Sequence, residues 1–559
     1  MKKGLKYLVV GVALAGCALL GSAAKDNVYN LGKNVEILVN MMRTINLFYV
    51  DDVDADKIMN AAAEGMSKIL DPYTDYISPE EMKAFEVMTT GKYGGVGSII
   101  RLRGDYVEFS APYKGSPAYR AGIRPGDVIL EIDGQSAKGM TTEQVSNALK
   151  GDPGTSVKLT IGKFPDNRPQ RVRITRERIA IPGVPYHGMV SEGVGYIDHN
   201  DFTEGSATEL LKALKELENK GMKSLILDYR DNSGGLLNEA VTILSYFLPA
   251  GSEVVSTRSS KSHNKSQKYT TENAPIAANI PIVVLVDNSS ASAAEIVAGA
   301  LQDNDRAVLL GQRTYGKGLV QSTIPLGYDA YAKITTYKYY LPSGRCIQAI
   351  DYGAHNEDGS VSLVPDSLIN EFTTKAGRRV YDGGGVMPDV RTQPDYISSF
   401  AVVVYAQNYI DDFINDYCRT HYYELNGNVQ PTKYTFTDEA YGEFVKWMKG
   451  KEVAWDNIAN RYWAAFEKEA AKEPWGESIK EQMEHISKTL SHDTEDYLWM
   501  YKSDIQDIIE QSIVMRYCFE EGSKAHQLPD DKDIKEAIAL LRDKERYEHI
   551  LTKQDTERK

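Results

Sequence analysis

"PIVVLVDNSSASAAEIVAGALQDNDRAVLLGQRTYGKGLVQ", residues Pro281 to Gln321, carries both the fold and the chemistry of this chain. Pro281 to Val286 is an unbroken apolar run bounded by Asp287 and Asn288, which predicts a buried strand ending in a turn. Ser289, Ser290 and Ser292 then stand where helix N-caps belong, and Ala293, Ala294, Ile296, Val297, Ala300 and Leu301 continue at helical spacing. A serine at that junction meets free backbone N–H groups and the positive end of the helix dipole, which would stabilise an oxyanion forming beside it. The same serines serve as caps and turn formers, so the junction by itself points to a turn before it points to a nucleophile. Arg306 to Leu310 reads as a second strand, "TYGKG" sets Lys317 between Gly316 and Gly318, and Gln321 follows four residues later.

These residues, in this order, resemble the carboxy-terminal processing, or tail-specific, serine proteases. In that family the second serine of Ser-Ala-Ser-Ala is the nucleophile, which corresponds to Ser292. The lysine of Gly-Lys-Gly is the general base, corresponding to Lys317, and a glutamine that orients it corresponds to Gln321. A lysine with an ordinary pKa of about 10.4 acts as a base near neutrality only when burial lowers that value by roughly 2–3 units, so the site must be dry. Histidine is the competing base; the chain has nine, and none lies in the stretch around Ser292. The resemblance implies an α/β core, a spiral of β-β-α units of the crotonase and Clp protease type, and it extends from about Val35 to Val390.

Composition narrows the function classes. At 559 residues, with 42% hydrophobic and 25% charged, the chain is ordinary globular material with room for about three to four domains. A net charge of −14 argues against nucleic acid as the main partner, since phosphate binding needs a basic surface. The start, "MKKGLKYLVVGVALAGCALLGSAAKDN", has Lys2, Lys3 and Lys6 before an apolar run from Tyr7 to Leu20, and predicts an export signal over residues 1–24. "LAGC" resembles a lipobox, which would make Cys17 a lipid-bearing terminus. Cleavage after Ala24 fits as well, and so does an uncleaved anchor, although the run falls short of the ~20 residues of a spanning helix. All three readings put the protein in the periplasm or cell envelope, soluble or held on the outer side of the cytoplasmic membrane. Cys346, Cys418 and Cys518 are too widely spaced for a metal site, so no metal or cofactor is expected, while Cys418 and Cys518 could pair.

Taken in order, residues 27–90 read as helices, with Val35, Leu38, Val39, Met42 and Ile45 and then Ile58, Ala62, Met66 and Ile69 at helical spacing. In the family this region packs on the core or builds a dimer interface, and simple core packing explains the pattern equally. Residues 93–179 alternate strands and turns around the helical "TTEQVSNALKG" and resemble a PDZ domain. By that resemblance the backbone of Gly95, Val96 and Gly97 would hold a peptide carboxylate, Val145 and Leu149 would line the pocket for its last side chain, and the peptide would add as a strand.

By the same resemblance, residues 180–393 would form the peptidase core. Within it "LILDYRDNSGG" resembles the family segment that supplies half of the oxyanion hole, from Gly234 or Gly235, the other half being the amide of Ala293. Asp303 matches a family aspartate and is expected to be a structural acceptor. Ser259 to Asn279 is polar and predicts an exposed excursion. Residues 394–559 hold all five tryptophans and helical stripes such as Ile505/Ile508/Ile509/Ile513, and read as a separate helical domain.

The expectation is an exported endopeptidase with a Ser–Lys dyad, cleaving proteins near their free carboxyl termini under control of the PDZ domain, with a homodimer or an adaptor protein as further partners. The opposed reading, a non-enzymatic PDZ adaptor on a dead protease core, leaves the intact Ser292, Lys317 and Gln321 unexplained.

Overall fold

A strand with no polar side to show must be covered on both faces, as in a parallel sheet. Ile282 to Val286 is such a strand, buried at every position. In a computed structural model describing residues 29–261, 264–355 and 361–552, it lies inside a six-stranded sheet. The strands are β1 (Tyr186–Ser191), β2 (Val194–Asp198), β3 (Ser224–Asp228), β4 (Ile282–Val286), β5 (Val308–Gly311) and β6 (Val390–Arg391), side by side in that order. β1 and β2 are antiparallel and every later pair is parallel. The connections between strands supply α1 (Ser206–Asn219), α2 (Leu237–Leu244) and α3 (Ala293–Asp303). Their apolar stripes, with Leu210, Leu214, Ile243, Val297 and Leu301, pack on Leu225, Leu227, Val284, Val286 and Leu309, which share one face of the sheet.

The chain divides into two compact units, with boundaries at 83/84, 320/321 and 336/337. The smaller holds a helix over residues 29–48, a second helix Ala55–Ser67 capped by Asp54, and a strand Asp75–Ile77 paired with residues 331–333. The larger contains the sheet, the PDZ domain and the helical region.

In the PDZ domain five strands, Ser98–Arg103, Tyr106–Pro112, Val128–Ile132, Ser156–Lys163 and Arg168–Thr175, pair antiparallel in that order. Ser98–Arg103 is therefore an edge strand. The helix Thr142–Leu149 opens on a capping box of Thr141 and Gln144. The domain is entered and left through one antiparallel pair, Lys92–Gly95 with Glu177–Ala180.

The helical region closes around Phe400, Phe413, Phe436, Phe444, Ile505 and Ile509. Among the helices that reach the PDZ domain are α4 (Tyr409–Thr420) and the long α5 (Lys502–Gln527), which is kinked at Phe519, where φ is +60°. Asp411 pairs with Arg101 at 2.5 Å, Glu521 with Lys114 at 2.7 Å, and the Phe519 ring meets that of Tyr119. The pairing left open for Cys418 and Cys518 is not made: both are free thiols, and Cys518 Sγ donates to the Val429 carbonyl.

Past α5 the helices of residues 394–559 also meet the six-stranded sheet. α6 (Lys532–Arg542) and α7 (Lys544–Thr552) turn back onto it. Leu528, Ile534, Ala537, Leu540 and Tyr547 cover its second face, formed by Tyr196, Ile226, Val283, Leu285, Val308 and Leu310. The Tyr547 hydroxyl accepts from the Ile282 amide and donates to its carbonyl, both at 2.9 Å. A stripe at helical spacing shows that a helix is covered without showing what covers it, and this one meets a sheet. Ser259 to Asn279 also gains structure, since Gln267–Thr270 pairs with Glu253–Arg258 as a hairpin. Residues 1–28, and with them Cys17 and the expected export signal, lie outside the described residues. Among the described residues no helix is long and apolar enough to cross a membrane.

Candidate active site

Ser292 sits at the N-cap of α3 with φ +54° and ψ −113°, a conformation that a non-glycine residue holds only when its surroundings force it. The forcing contacts are on both sides. Ser290 Oγ donates to the Tyr229 carbonyl at 2.8 Å, and the Ala291 amide donates to the Asn232 carbonyl at 2.9 Å, so the serine turn is laced to the turn after β3. Asp287 completes the lacing, taking the amides of Ser289 and Ser290 and, from the other turn, that of Asp231. The Ser292 carbonyl accepts from the buried Tyr339 hydroxyl at 3.3 Å.

The centre of the site is Glu295, fully buried one turn into α3. Its Oε2 accepts from the amides of Ser292 and of Lys317, each at 2.9 Å, and its Oε1 from the Gly316 amide at 2.8 Å and from the Thr314 hydroxyl. One carboxylate oxygen thus joins the backbone of the expected nucleophile to that of the expected base. Burial pushes its pKa up to about 7, against the four hydrogen bonds that favour the charged form. Glu295 was not among the residues singled out in the sequence, although Ser292-x-x-Glu295 has the spacing of a capping box that would have marked it.

The glycines around Lys317 are there because backbone passes close by. A Cβ on Gly316 would stand 2.5 Å from that of Ala349, and one on Gly318 would stand 2.9 Å from the Gln348 amide nitrogen. The Gly318 amide donates to Gln348 Oε1 at 2.7 Å, and the Tyr315 amide to the Ser290 carbonyl at 3.0 Å. Gln321 lies in the smaller unit, where its amide donates to Thr335 Oγ1 at 3.0 Å.

Gly234, with φ +101°, is pressed against the nucleophile turn: a Cβ there would lie 2.7 Å from Ser292 Cβ and 2.9 Å from the Ala293 nitrogen. Its own amide donates to Asn232 Oδ1 at 2.8 Å. Gly235, with φ +141°, bridges to Phe202 in parallel fashion, and among the described residues its amide is not engaged in this way. Asn232 Nδ2 in turn holds the carbonyl of His199. The His199 ring is fully buried against Phe202 and Tyr229, and burial pulls its pKa to about 3, which makes it a poor base.

In the PDZ domain, Gly95 ends a paired strand, Val96 is buried with its carbonyl on the Ala118 amide, and Gly97 (φ +77°) packs against Ser116. Val145 and Leu149 are both buried in the core of that domain, beside Val107, Phe109 and Ile161. Asp303 is a structural acceptor, paired at 2.8 Å with the buried Arg345. Among the described residues no cluster of side chains could hold a metal ion.

Comparison with known proteins matches residues 193–355 to "Peptidase family S41", residues 108–162 to "PDZ domain" and residues 400–541 to "Probable PDZ-protease, C-terminal helical domain". The chain is 35% identical over 350 residues to the "Carboxy-terminal-processing protease" of Bartonella bacilliformis, covering 62% of this chain and 80% of that one. It is 36% identical over 317 residues to a "Probable CtpA-like serine protease" of Staphylococcus aureus, of which it spans 62% of the length, covering 56% of this chain. Among solved structures, the photosystem II D1 C-terminal processing protease is 26% identical, with 64% of this chain and 93% of that one covered at a TM-score of 0.34.

Proposed function

The chain belongs to the family of PDZ-containing carboxy-terminal processing serine proteases, and from that premise we propose that Ser292 is its nucleophile and Lys317 the general base of a dyad that Gln321 assists. The observation that carries the assignment is the single oxygen of Glu295 that takes the amides of both residues. In this reading Lys317 Nζ takes the proton of Ser292 Oγ as the oxygen attacks a substrate carbonyl, and later returns it to the leaving amine; water then releases the acyl group by the same route. The oxyanion is met by the amide of Ala293 and by the turn at Gly234 and Gly235, with Gly235 as the donor because the Gly234 amide is held by Asn232. Glu295 touches neither substrate nor the transferred proton and acts as a positioning residue.

The PDZ domain takes a free carboxyl terminus at residues 95–97 and adds the peptide along the edge strand Ser98–Arg103, which supports cleavage near carboxyl ends. Docking the tail there favours the active arrangement through the paired strands Lys92–Gly95 and Glu177–Ala180, which join the domain to the core. Lys2, Lys3, Lys6 and the apolar run after them support export to the periplasm or cell envelope, with Cys17 lipidation, a free soluble form or an uncleaved anchor as the alternatives that mass spectrometry of the mature terminus separates.

The dyad is tested with Ser292→Ala and Lys317→Ala in the full chain, each expected to abolish cleavage of an unfolded substrate while the thermal melt stays in place. Near-normal turnover by either variant would sink the assignment.

A further inference from the structure

Two carboxylates from the start of α6, Asp531 and Asp533, reach the guanidinium of Arg230 at 2.8 and 3.4 Å. Arg230 also grips Asp228 at the end of β3, with Nη2 to Oδ2 at 2.7 Å, and its backbone amide donates to Asp228 Oδ1 at 3.0 Å. Asp228 takes the Tyr196 hydroxyl at 2.8 Å as well. Beside this cluster Lys524, near the end of α5, pairs with Asp198 at the end of β2 at 2.9 Å. Residues 231–235, which follow Arg230 directly, form the turn that presses Gly234 against Ser292. Arg230 is thus the anchored side chain immediately before that turn, and two of the three carboxylates that hold it come from the start of α6, about 300 residues on.

Capping is the plainer role for the two aspartates. Asp531 is the N-cap of α6, accepting from the Ile534 amide at 3.0 Å, and acids are favoured in a helix's first turn. Capping, however, needs no arginine, and here both carboxylates converge on one guanidinium, Asp533 from 303 residues away in sequence. With Arg230 only 20% exposed and Asp533 13%, the pairs are partly buried, where removing one partner matters more than on the surface.

We infer that Asp531 and Asp533 are positioning residues of the peptidase site, holding Arg230 and through it the turn that presents the oxyanion-binding amide to Ser292. The C-terminal segment is then a working part of the catalytic centre. This rests on the reading of Ser292 and the Gly234–Gly235 turn given above. The test compares full-length wild type, Ser292→Ala, Asp533→Asn, Asp533→Glu and the double variant Asp531→Ser/Asp533→Asn, in which serine keeps the cap and removes the charge. Two readouts are taken: kcat and KM on an unfolded protein substrate, and the rate at which a fluorophosphonate labels Ser292, forming the Oγ–P bond as the P–F bond breaks.

The expected result is a fall of tenfold or more in kcat and in labelling rate for the double variant, with KM within twofold of wild type and Asp533→Glu close to wild type. Unchanged kcat per folded molecule in the double variant, or in Asp533→Asn should the double variant not fold, overturns the inference. So does a loss of kcat that follows only the loss of folded protein in the thermal melt. If the wild-type chain neither cleaves nor labels at Ser292, the peptidase reading itself falls, and this inference with it.

Discussion

The two faces of the peptidase sheet are closed by helices of opposite origin. On the Ser292 side α1, α2 and α3 each follow a strand of the sheet in sequence, and their stripes pack on the face formed by Leu225, Leu227, Val284, Val286 and Leu309. On the other side the cover is α6 and α7, which return from the end of the chain to a strand as distant as Ile282, 265 residues before Tyr547. Burial is as complete on the second face as on the first: Ile226, Val283 and Leu310 are inaccessible, as are Leu225, Val284 and Leu309. A sheet can therefore be locally built on one side and depend on a remote segment on the other. The turns at Ser292 and Gly234, though carried on the local side, are tied to the remote side through Arg230.

Ending the chain after Gln527 breaks this comparison most severely. It removes Leu528, Ile534, Leu540 and Tyr547 and uncovers the apolar face beneath them. At about 1.5–3 kcal/mol for each large side chain, roughly 6–12 kcal/mol of burial is lost, the size of a domain's whole stability. The truncated protein is expected to be insoluble or to lack a cooperative melt. A truncated chain that melts like the full one would show that the second face is not core.

A finer comparison sets one leucine against another. Leu301, on α3, and Leu540, on α6, are both fully buried, one on each face. If the faces are equivalent, Leu301→Ala and Leu540→Ala should each cost about 2–5 kcal/mol in denaturant unfolding, with a single shared transition. A distinct early transition for Leu540→Ala would mark α6 and α7 as a separately melting attachment. Smaller still is Tyr547→Phe, which leaves the amide and carbonyl of Ile282 without their hydroxyl partner and should cost about 1–3 kcal/mol.

The same contrast governs what could be read from the sequence. The strand at Ile282–Val286, the helix after it and the glycines around Lys317 were legible because each is a local pattern: an apolar run, a small-residue helix, a Gly-Lys-Gly loop. The run even implied two covered faces, since it has no polar alternation, but nothing in it names the second cover. Glu295 escaped notice because a glutamate in a helix's first turn is ordinary; only its four donors, arriving from Ser292, Thr314, Gly316 and Lys317, make it central. Asp531 and Arg230 were out of reach for a similar reason, since an acidic N-cap and an arginine after a strand carry no sign of each other. Val145 and Leu149 share one helix face, as their spacing implies, and that face packs into the domain's interior.

The smallest effect expected is a slope of stability with pH, and it has one source on each side of the comparison. Burial raises Glu295, beneath the catalytic turns, from 4.5 to about 7, and it raises Asp198, beside α5, from 3.8 to about 6 despite the attraction of Lys524. Each carboxyl therefore keeps its proton longer in the folded chain than in the unfolded one. Between the lower and upper values the folded protein binds more protons, so stability from these groups is full below about pH 4 and is lost as pH rises through 6 and then 7. Activity should move the opposite way, because the Glu295 carboxylate must be charged to accept from all four donors at once, and kcat/KM should fall as pH drops below about 7. Melting temperatures taken from pH 4 to 8 resolve the two contributions: Asp198→Asn should remove the lower part of the slope and leave the activity profile alone, whereas Glu295→Gln should remove the upper part and lower kcat/KM by roughly a hundredfold at pH 8, where it replaces an acceptor by a donor facing backbone N–H groups. An Asp198→Asn variant whose activity profile shifts with its stability would mean that the contact with α5 reaches the catalytic turns directly, and the two sides of the sheet would then have to be treated as one titrating unit.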